Sequence, residues 1–137
     1  MKVVLATPPS GFNNKGFLPP LGLGYLASAL REHGHDVLLY DFTAMGCGTD
    51  DAVKRINKIT PDAIGFTSVT SDRFQVLHCC TKLKQAMPNL FIFAGGPHFS
   101  LTANESLLSW ECLDAVVHGE GEITASELLR EIGRAHV

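Results

Sequence analysis

The sequence predicts an α/β fold in which helices cover both faces of a five-stranded parallel sheet, the doubly wound arrangement. Two observations support this prediction. Short uncharged runs alternate five times with segments whose apolar residues recur at helical spacing. One run, Phe91–Ala94, is long enough for a strand and too short for a helix, and it ends at Gly95 and Gly96. Ligands bind to open sheets of this kind at the carboxyl ends of the strands.

The first strand is predicted at Lys2–Ala6, and it ends before Pro8 and Pro9, because proline cannot continue a central strand. A long loop follows, and long loops in compact domains are often functional. The first helix is predicted to begin at Pro20 and to close at Gly34 as a C-cap.

The second strand is predicted at Val37–Tyr40, followed by a loop at Thr43–Thr49 and a helix at Asp50–Thr60. The third strand is predicted at Ala63–Thr67, and Ser68–Ser71 form the loop that follows it.

The next helix is predicted to carry an apolar stripe from Val76 to Met87 and to end at Pro88. After the strand at Phe91–Ala94, the pattern predicts a short helix at Leu101–Trp110 and a fifth strand at Asp114–Val117. Apolar residues at Ala125, Leu128, Leu129 and Ile132 predict the last helix.

The length and charge limit the functional classes. A chain of 137 residues predicts one domain, 1–137, able to bury a core of its own. With 11 basic and 14 acidic side chains and no block of like charge, neither a nucleic-acid nor a membrane partner is expected. The first residues lack signal-peptide features, which predicts the cytoplasm. Oligomeric state is left open.

The cysteines do not have the spacing of a metal site. Cys47, Cys79, Cys80 and Cys112 are expected to be reduced, partly buried small residues, without a metal or redox role.

All strand-to-helix loops of a parallel sheet lie at its carboxyl edge. Four of the five predicted loops are rich in glycine, proline, serine or threonine, so they predict a wide platform of hydroxyl groups and bare backbone. Such a surface suits a large flat ligand with amide edges better than a compact phosphate.

Four motifs occur in order along this pattern: Pro-Pro-Leu-Gly-Leu-Gly-Tyr-Leu-Ala at 19–27, Pro-Asp-Ala-Ile-Gly-Phe-Thr-Ser at 61–68, Gly-Gly-Pro-His at 95–98 and Gly-Glu-Gly-Glu at 119–122. The set resembles the N-terminal cobalamin-binding domain of class B radical S-adenosylmethionine enzymes. The resemblance implies a flavodoxin-like Rossmann domain that holds a corrinoid over the carboxyl edge of its sheet.

The resemblance also implies which loops contact the corrinoid. Thr67, Ser68 and Thr70 are expected to hydrogen-bond the nucleotide tail or corrin amides, Gly95 and Gly96 to let the tail lie against backbone, and Glu120 and Glu122 to accept from amides or to cap the last helix. The full expected set is Thr7, Pro8, Pro9, Ser10, Gly11, Thr67, Ser68, Val69, Thr70, Ser71, Gly95, Gly96, Pro97, His98, Gly119, Glu120, Gly121 and Glu122. No catalytic residue and no protein metal ligand is expected.

One motif of other cobalamin domains is missing. Mutases and methionine synthase carry Asp-x-His-x-x-Gly, whose histidine ligates cobalt, and nothing here has that spacing. Cobalt is therefore expected with its own base displaced and with Val69 or a water on its lower side. His98 is expected to form a loop hydrogen bond rather than a bond to cobalt.

The resemblance further implies a C-terminal radical S-adenosylmethionine domain in a longer protein, which would bind S-adenosylmethionine and a [4Fe-4S] cluster. The three-cysteine motif for that cluster is not in these residues. The parent enzyme would be a methyltransferase or a related enzyme that modifies tetrapyrroles or natural products.

Three alternatives remain. A flavin or nucleotide binder would need a phosphate loop after the first strand, where Pro8 and Pro9 remove two N–H donors. A receiver-like or interaction module would need acidic residues where Thr7 and Thr67 stand. A hydrolase using Ser68 or Ser71 would need a Gly-x-Ser-x-Gly elbow, which is absent.

Overall fold

A computed structural model describes residues 1–9, 20–67, 72–96, 109–118 and 121–135. The described residues form five strands and five helices. Their bounds are β1 Lys2–Thr7, α1 Leu21–Glu32, β2 Asp36–Asp41, α2 Phe42–Met45, α3 Thr49–Ile59, β3 Ala63–Thr67, α4 Arg73–Ala86, β4 Phe91–Gly95, β5 Ala115–Val116 and α5 Gly121–Ala135.

The strands form one parallel sheet in the order β2-β1-β3-β4-β5. This is the flavodoxin-like order, and it confirms the predicted fold class. The chain leaves β1 toward one edge for β2 and then returns past β1 to β3. The carboxyl ends of β1 and β3 therefore lie at the point where the connections diverge, which is where such sheets open a crevice.

The core has two halves, one on each face of the sheet. Val4, Ile64 and Ile92 alternate with Val3, Leu5 and Phe93 along the strands, so that successive side chains point to opposite faces. The first set packs with residues of α3 and α4, and the second packs with residues of α1 and α5. Both sets are almost fully buried, as expected for a parallel sheet covered on two sides.

The predicted first helix is confirmed, including its end. Gly34 has a φ of +88°, a left-handed conformation that favours glycine, and the N–H of Gly34 donates to the carbonyl of Arg31. Leu23, Ala27 and Leu30 of this helix are buried against the sheet.

The predicted loop at Thr43–Thr49 is wrong in its first part, because α2 forms at Phe42–Met45. The Asp41 carboxylate accepts from the N–H of Ala44 at 3.1 Å and caps the helix, and Gly46 ends it with a φ of +66°. Phe42 is fully buried and anchors this turn to the core.

The fifth strand is shorter than predicted, Ala115–Val116, and it is held partly by side chains. Asp114 accepts from the backbone N–H of Ile92 at 2.8 Å and from Lys84 Nζ at 2.7 Å. Lys84 Nζ also donates to the carbonyl of Leu90.

The predicted helix at 101–110 lies, except for residues 109 and 110, outside the described residues. In the described part of the chain, no helix is long and apolar enough to cross a bilayer.

Candidate functional site

A cavity of about 680 Å³ opens at the carboxyl edge of the sheet, between α1, α5 and the ends of β3 and β4. We call it the rim cavity. Its walls are mostly apolar side chains from both helices, from β1 and β4, and from the residue that follows β5. They are Leu5, Leu23, Leu26, Phe93, Val117 and Ala125.

Glycines form much of the remaining wall, so backbone is open to the cavity at several points. Gly65 and Gly95 come from neighbouring strands, Gly96 follows β4, and Gly22 and Gly121 lie in the first turns of α1 and α5. At these points a bound group would meet backbone rather than a side chain.

Two of these glycines are required by the fold itself. Gly96 has a φ of +95°, a conformation that side-chain-bearing residues rarely adopt. The chain therefore needs a glycine directly after β4. A Cβ on Gly65 would lie 2.5 Å from the ring of Phe93, so the ring occupies the space that a side chain there would fill.

Gly22 differs, because a Cβ built on it meets no described atom within 4 Å. The space beside Gly22 is therefore open, and Gly22 also lines the rim cavity. A glycine that is not needed for packing against described residues, and that faces a cavity, is suited to ligand contact.

Polar groups at the mouth of the cavity are few. Thr67 ends β3 and pairs with Gly95 across the sheet. Glu122 lies in the first turn of α5, where the positive end of the helix dipole favours a carboxylate. Tyr25 of α1 also lines the cavity, and this residue is 68% exposed. The site thus combines an apolar interior with hydroxyl and carboxylate groups at its rim, as cofactor sites do.

Five of the residues predicted as ligand contacts converge on this cavity: Thr67, Gly95, Gly96, Gly121 and Glu122. Their contact with a ligand stays a prediction, but the structure brings together the ends of β3 and β4 and the start of α5, which are far apart in sequence.

Thr7, Pro8 and Pro9 are buried and do not line the rim cavity. The Thr7 hydroxyl donates to Asp41 Oδ1 at 2.7 Å, and the carbonyl of Pro8 accepts from the Thr43 hydroxyl at 2.7 Å. These bonds fasten the end of β1 to the end of β2. Asp41 is the acceptor of the first of these bonds.

The other predicted contacts lie outside the described residues. They are Ser10, Gly11, Ser68, Val69, Thr70, Ser71, Pro97, His98, Gly119 and Glu120.

No histidine among the described residues lines the rim cavity; His33 Nδ1, for example, is 2.8 Å from the carbonyl of Ala29. The described part of the chain contains no group of three or more histidine, cysteine or acidic residues that could hold a metal ion.

Sequence reasoning missed the apolar interior of the cavity. Leu5, Phe93 and Val117 were assigned only to strands, since their hydrophobicity is equally well explained by a core. One signal was present: Gly22 lies in the first turn of a helix, where glycine is costly unless a neighbour must come close.

Comparison with known proteins identifies the family. The model of the B12 binding domain matches residues 11–129, most of the chain. An uncharacterized methyltransferase of Pyrococcus horikoshii is 38% identical over 98% of this chain, which covers 30% of that protein. The hopanoid C-3 methylase of Methylococcus capsulatus is 33% identical over 98% of this chain, which covers 26% of it. The chain therefore spans less than a third of the length of these two relatives.

Solved structures show the same fold. The cobalamin-dependent S-adenosylmethionine radical enzyme OxsB, with aqua-cobalamin and S-adenosylmethionine bound, has a TM-score of 0.85 at 21% identity, covering 97% of this chain and 19% of OxsB. The radical S-adenosylmethionine methyltransferase TsrM from Kitasatospora setae, with cobalamin and a [4Fe-4S] cluster bound, has a TM-score of 0.82 at 19% identity, covering 98% of this chain and 26% of TsrM. The extent of the family match, together with the identity to the longer relatives, shows that this chain belongs to the B12-binding domain family.

Proposed function

We propose that this chain is the cobalamin-carrying part of a longer cobalamin-dependent radical S-adenosylmethionine enzyme, and that the rim cavity holds the nucleotide tail of the cofactor. The observation that carries the proposal is the cavity itself, an apolar space walled by glycine backbone at the carboxyl ends of β3 and β4. It lies where open α/β sheets bind ligands.

The residues present fit such a group. A volume of about 680 Å³ lies within the range of small-molecule sites and suits a nucleotide-sized group, whereas a whole corrinoid is larger. The walls of Leu5, Phe93 and Val117 match the apolar faces of a flat aromatic base. Exposed backbone at Gly95 and Gly96 allows close approach of a ribose or linker.

The rim residues would orient the cofactor. The Thr67 hydroxyl can donate to a ring nitrogen or accept from an amide, and the Glu122 carboxylate accepts only, which suits amide N–H or ribose hydroxyl donors. Among the residues outside the described ranges, we keep Ser68, Thr70 and Glu120 as further hydrogen-bonding contacts, since the same loops carry them.

Bound cobalamin would supply a cobalt centre able to carry a methyl group. This chain's residues would hold the base of the tail in the rim cavity and so keep it away from cobalt. We propose that no histidine of the chain ligates cobalt, because the Asp-x-His-x-x-Gly spacing is absent and no described histidine lines the cavity.

We propose that a radical S-adenosylmethionine domain of the same longer protein covers this edge. The relatives are more than three times as long as the match, and two of them are named as a methyltransferase and a methylase. Leu21 and Ile123, which adjoin cavity residues, are 67% and 75% exposed and would be covered by such a domain. The four thiols are free, which supports a reducing compartment such as the cytoplasm.

The test is a titration of the reduced chain with hydroxocobalamin and, separately, with flavin mononucleotide, followed by visible absorption and gel filtration. We expect cobalamin to co-elute with the protein with a spectrum of displaced base, and the flavin to elute freely. Retention of flavin in preference to cobalamin would overturn the proposal.

A matched pair of variants tests the cavity. Gly22→Phe places a ring in the open space of the rim cavity. Gly24→Phe adds the same ring two residues later in α1. A Cβ on Gly24 also meets no described atom within 4 Å, but Gly24 does not line the cavity. We expect Gly22→Phe to weaken cobalamin binding by at least about tenfold, the equivalent of 1.4 kcal/mol, and Gly24→Phe to leave it within about twofold. Equal binding by both variants, with unchanged far-ultraviolet circular dichroism, would show that the tail lies elsewhere.

A further inference from the structure

The residues that line the rim cavity differ in exposure, and the differences give the cavity a mouth and an inner end. Tyr25 is 68% exposed, and Thr67 and Glu122 are partly exposed, whereas Leu5 and Ala125 are fully buried. Among the described residues of the wall, only the three at the mouth carry polar side-chain atoms. The cavity therefore becomes less polar toward the sheet.

A row of three residues on neighbouring strands forms the inner end. Leu5 of β1, Gly65 of β3 and Phe93 of β4 are register partners. Each of these strands is paired on both sides, so the backbone N–H and carbonyl groups of the row are used within the sheet. The Phe93 ring covers Gly65, and the row thus presents hydrocarbon to the cavity.

Val117 extends this apolar surface toward α5. A Cβ on Gly121 would lie 3.2 Å from Val117 Cγ1, and a Cβ on Gly95 would lie 3.8 Å from Val117 Cβ. The valine therefore fills the wall between two glycines that also line the cavity, and it is 4% exposed.

We propose that the rim cavity selects corrinoids by the base of their nucleotide tail, and that it prefers an apolar base such as dimethylbenzimidazole to a purine. This preference rests on the proposed function, because it requires the tail to enter the cavity. Dimethylbenzimidazole has only C–H and methyl groups on the ring that is farther from the ribose. With the ribose at the mouth, that ring would meet the hydrocarbon of Leu5, Phe93 and Val117.

A purine would bring polar groups to the same wall. Adenine carries an amino group and ring nitrogens on its six-membered ring, and these groups would leave water without a partner among the described side chains of the inner end. A buried donor or acceptor that lacks a partner weakens binding, and an apolar pocket rejects such a group by about 10–100-fold.

The test titrates the reduced chain with three corrinoids and follows visible absorption. They are hydroxocobalamin, its analogue with adenine as the base, and cobinamide, which has no nucleotide. We expect hydroxocobalamin to bind about 10–100-fold more tightly than the adenine analogue, and more tightly than cobinamide.

The corrinoid without a tail separates the two ways in which this could fail. If the adenine analogue bound as tightly as hydroxocobalamin or more tightly, and cobinamide bound more weakly than both, the base preference would be overturned and the proposed function would stand. If hydroxocobalamin were not retained, or if cobinamide bound as tightly as hydroxocobalamin, the tail would not be held in this cavity, and both proposals would fail.

Matched valine variants locate the preference. Val117→Thr keeps the shape of the side chain and adds a hydroxyl group to the cavity wall, whereas Val116→Thr adds it on the opposite face of the sheet. We expect Val117→Thr to lower the ratio of the two affinities, hydroxocobalamin over adenine analogue, by at least about threefold, because the hydroxyl can pair with the purine. Val116→Thr should leave the ratio unchanged.

The ease with which each base leaves cobalt is a property of the corrinoid, so it cancels when the ratios of the variants are compared. An unchanged ratio in folded Val117→Thr, or an equal change in both variants, would show that this wall does not set the preference and would overturn the proposal. The comparison of the three corrinoids on the wild-type chain decides the matter if Val117→Thr does not fold.

Discussion

At the scale of single residues, Gly65 shows how one missing side chain shapes the floor of the rim cavity. The space beside Gly65 is filled by the ring of Phe93, a residue that is 3% exposed. The ring can lie across β3 only because its neighbour on that strand has no Cβ.

Gly65→Ala tests this packing. Its new methyl group would approach the Phe93 ring within 2.5 Å, so the ring or the strand must shift. Overpacking of this kind costs about 1–3 kcal/mol, and urea unfolding should show that loss in the free energy of unfolding. Gly24→Ala is the control, with open space around it, and is expected to be neutral or to stabilise the helix by up to about 1 kcal/mol. An unchanged urea midpoint for Gly65→Ala would contradict the close packing.

At the scale of elements, periodicity predicted each strand and each described long helix, but it could not predict how β5 is fixed. A strand of two residues can form only a short ladder of backbone hydrogen bonds with its neighbour. Asp114 replaces part of that ladder by accepting from the N–H of Ile92 in β4, and Lys84 of α4 holds the Asp114 carboxylate in place. Only the fold brings these three residues together, so the network could not be predicted from the sequence. The α2 turn was missed for a similar reason, since its cap depends on Asp41 at the end of a strand.

Lys84→Met tests the network while keeping the apolar part of the side chain. The change removes the donor to Asp114 and to the carbonyl of Leu90, of which the second bond is partly buried, and should cost about 1–3 kcal/mol of unfolding free energy. Val117, which follows β5, lines the rim cavity, so cobalamin affinity should also fall. Lys82→Met is the matched control. It removes an exposed pair with Asp50, for which no change in the urea midpoint is expected. Equal midpoints for the two variants would refute the network's role.

At the scale of the whole molecule, the two faces of the sheet have different tasks. Parallel strands place all their exit loops at one edge, so the edge that carries the site was predictable from alternation alone. The face was not predictable, because apolar residues on both sides look alike in sequence. The structure places the rim cavity on the face of α1 and α5, while the opposite face, with α3 and α4, is packed with residues such as Ile56 and Leu83 that are fully buried.

This division predicts where bound cobalamin changes hydrogen exchange. At short exchange times, before global unfolding contributes, the amides at the starts of α1 and α5 should exchange more slowly in the complex, by up to about 100-fold at a ligand concentration of 100 Kd. The amides of α3, on the other face, should be unchanged at these times, because no described residue of α3 lines the rim cavity. Flavin mononucleotide at the same concentration serves as the control and should not change amide exchange in α1, α5 or α3. If amide exchange slowed in α3 as much as in α1, the cofactor would stabilise the fold as a whole without entering this cavity. Only a ligand held between α1 and α5 restricts the first turns of these two helices selectively.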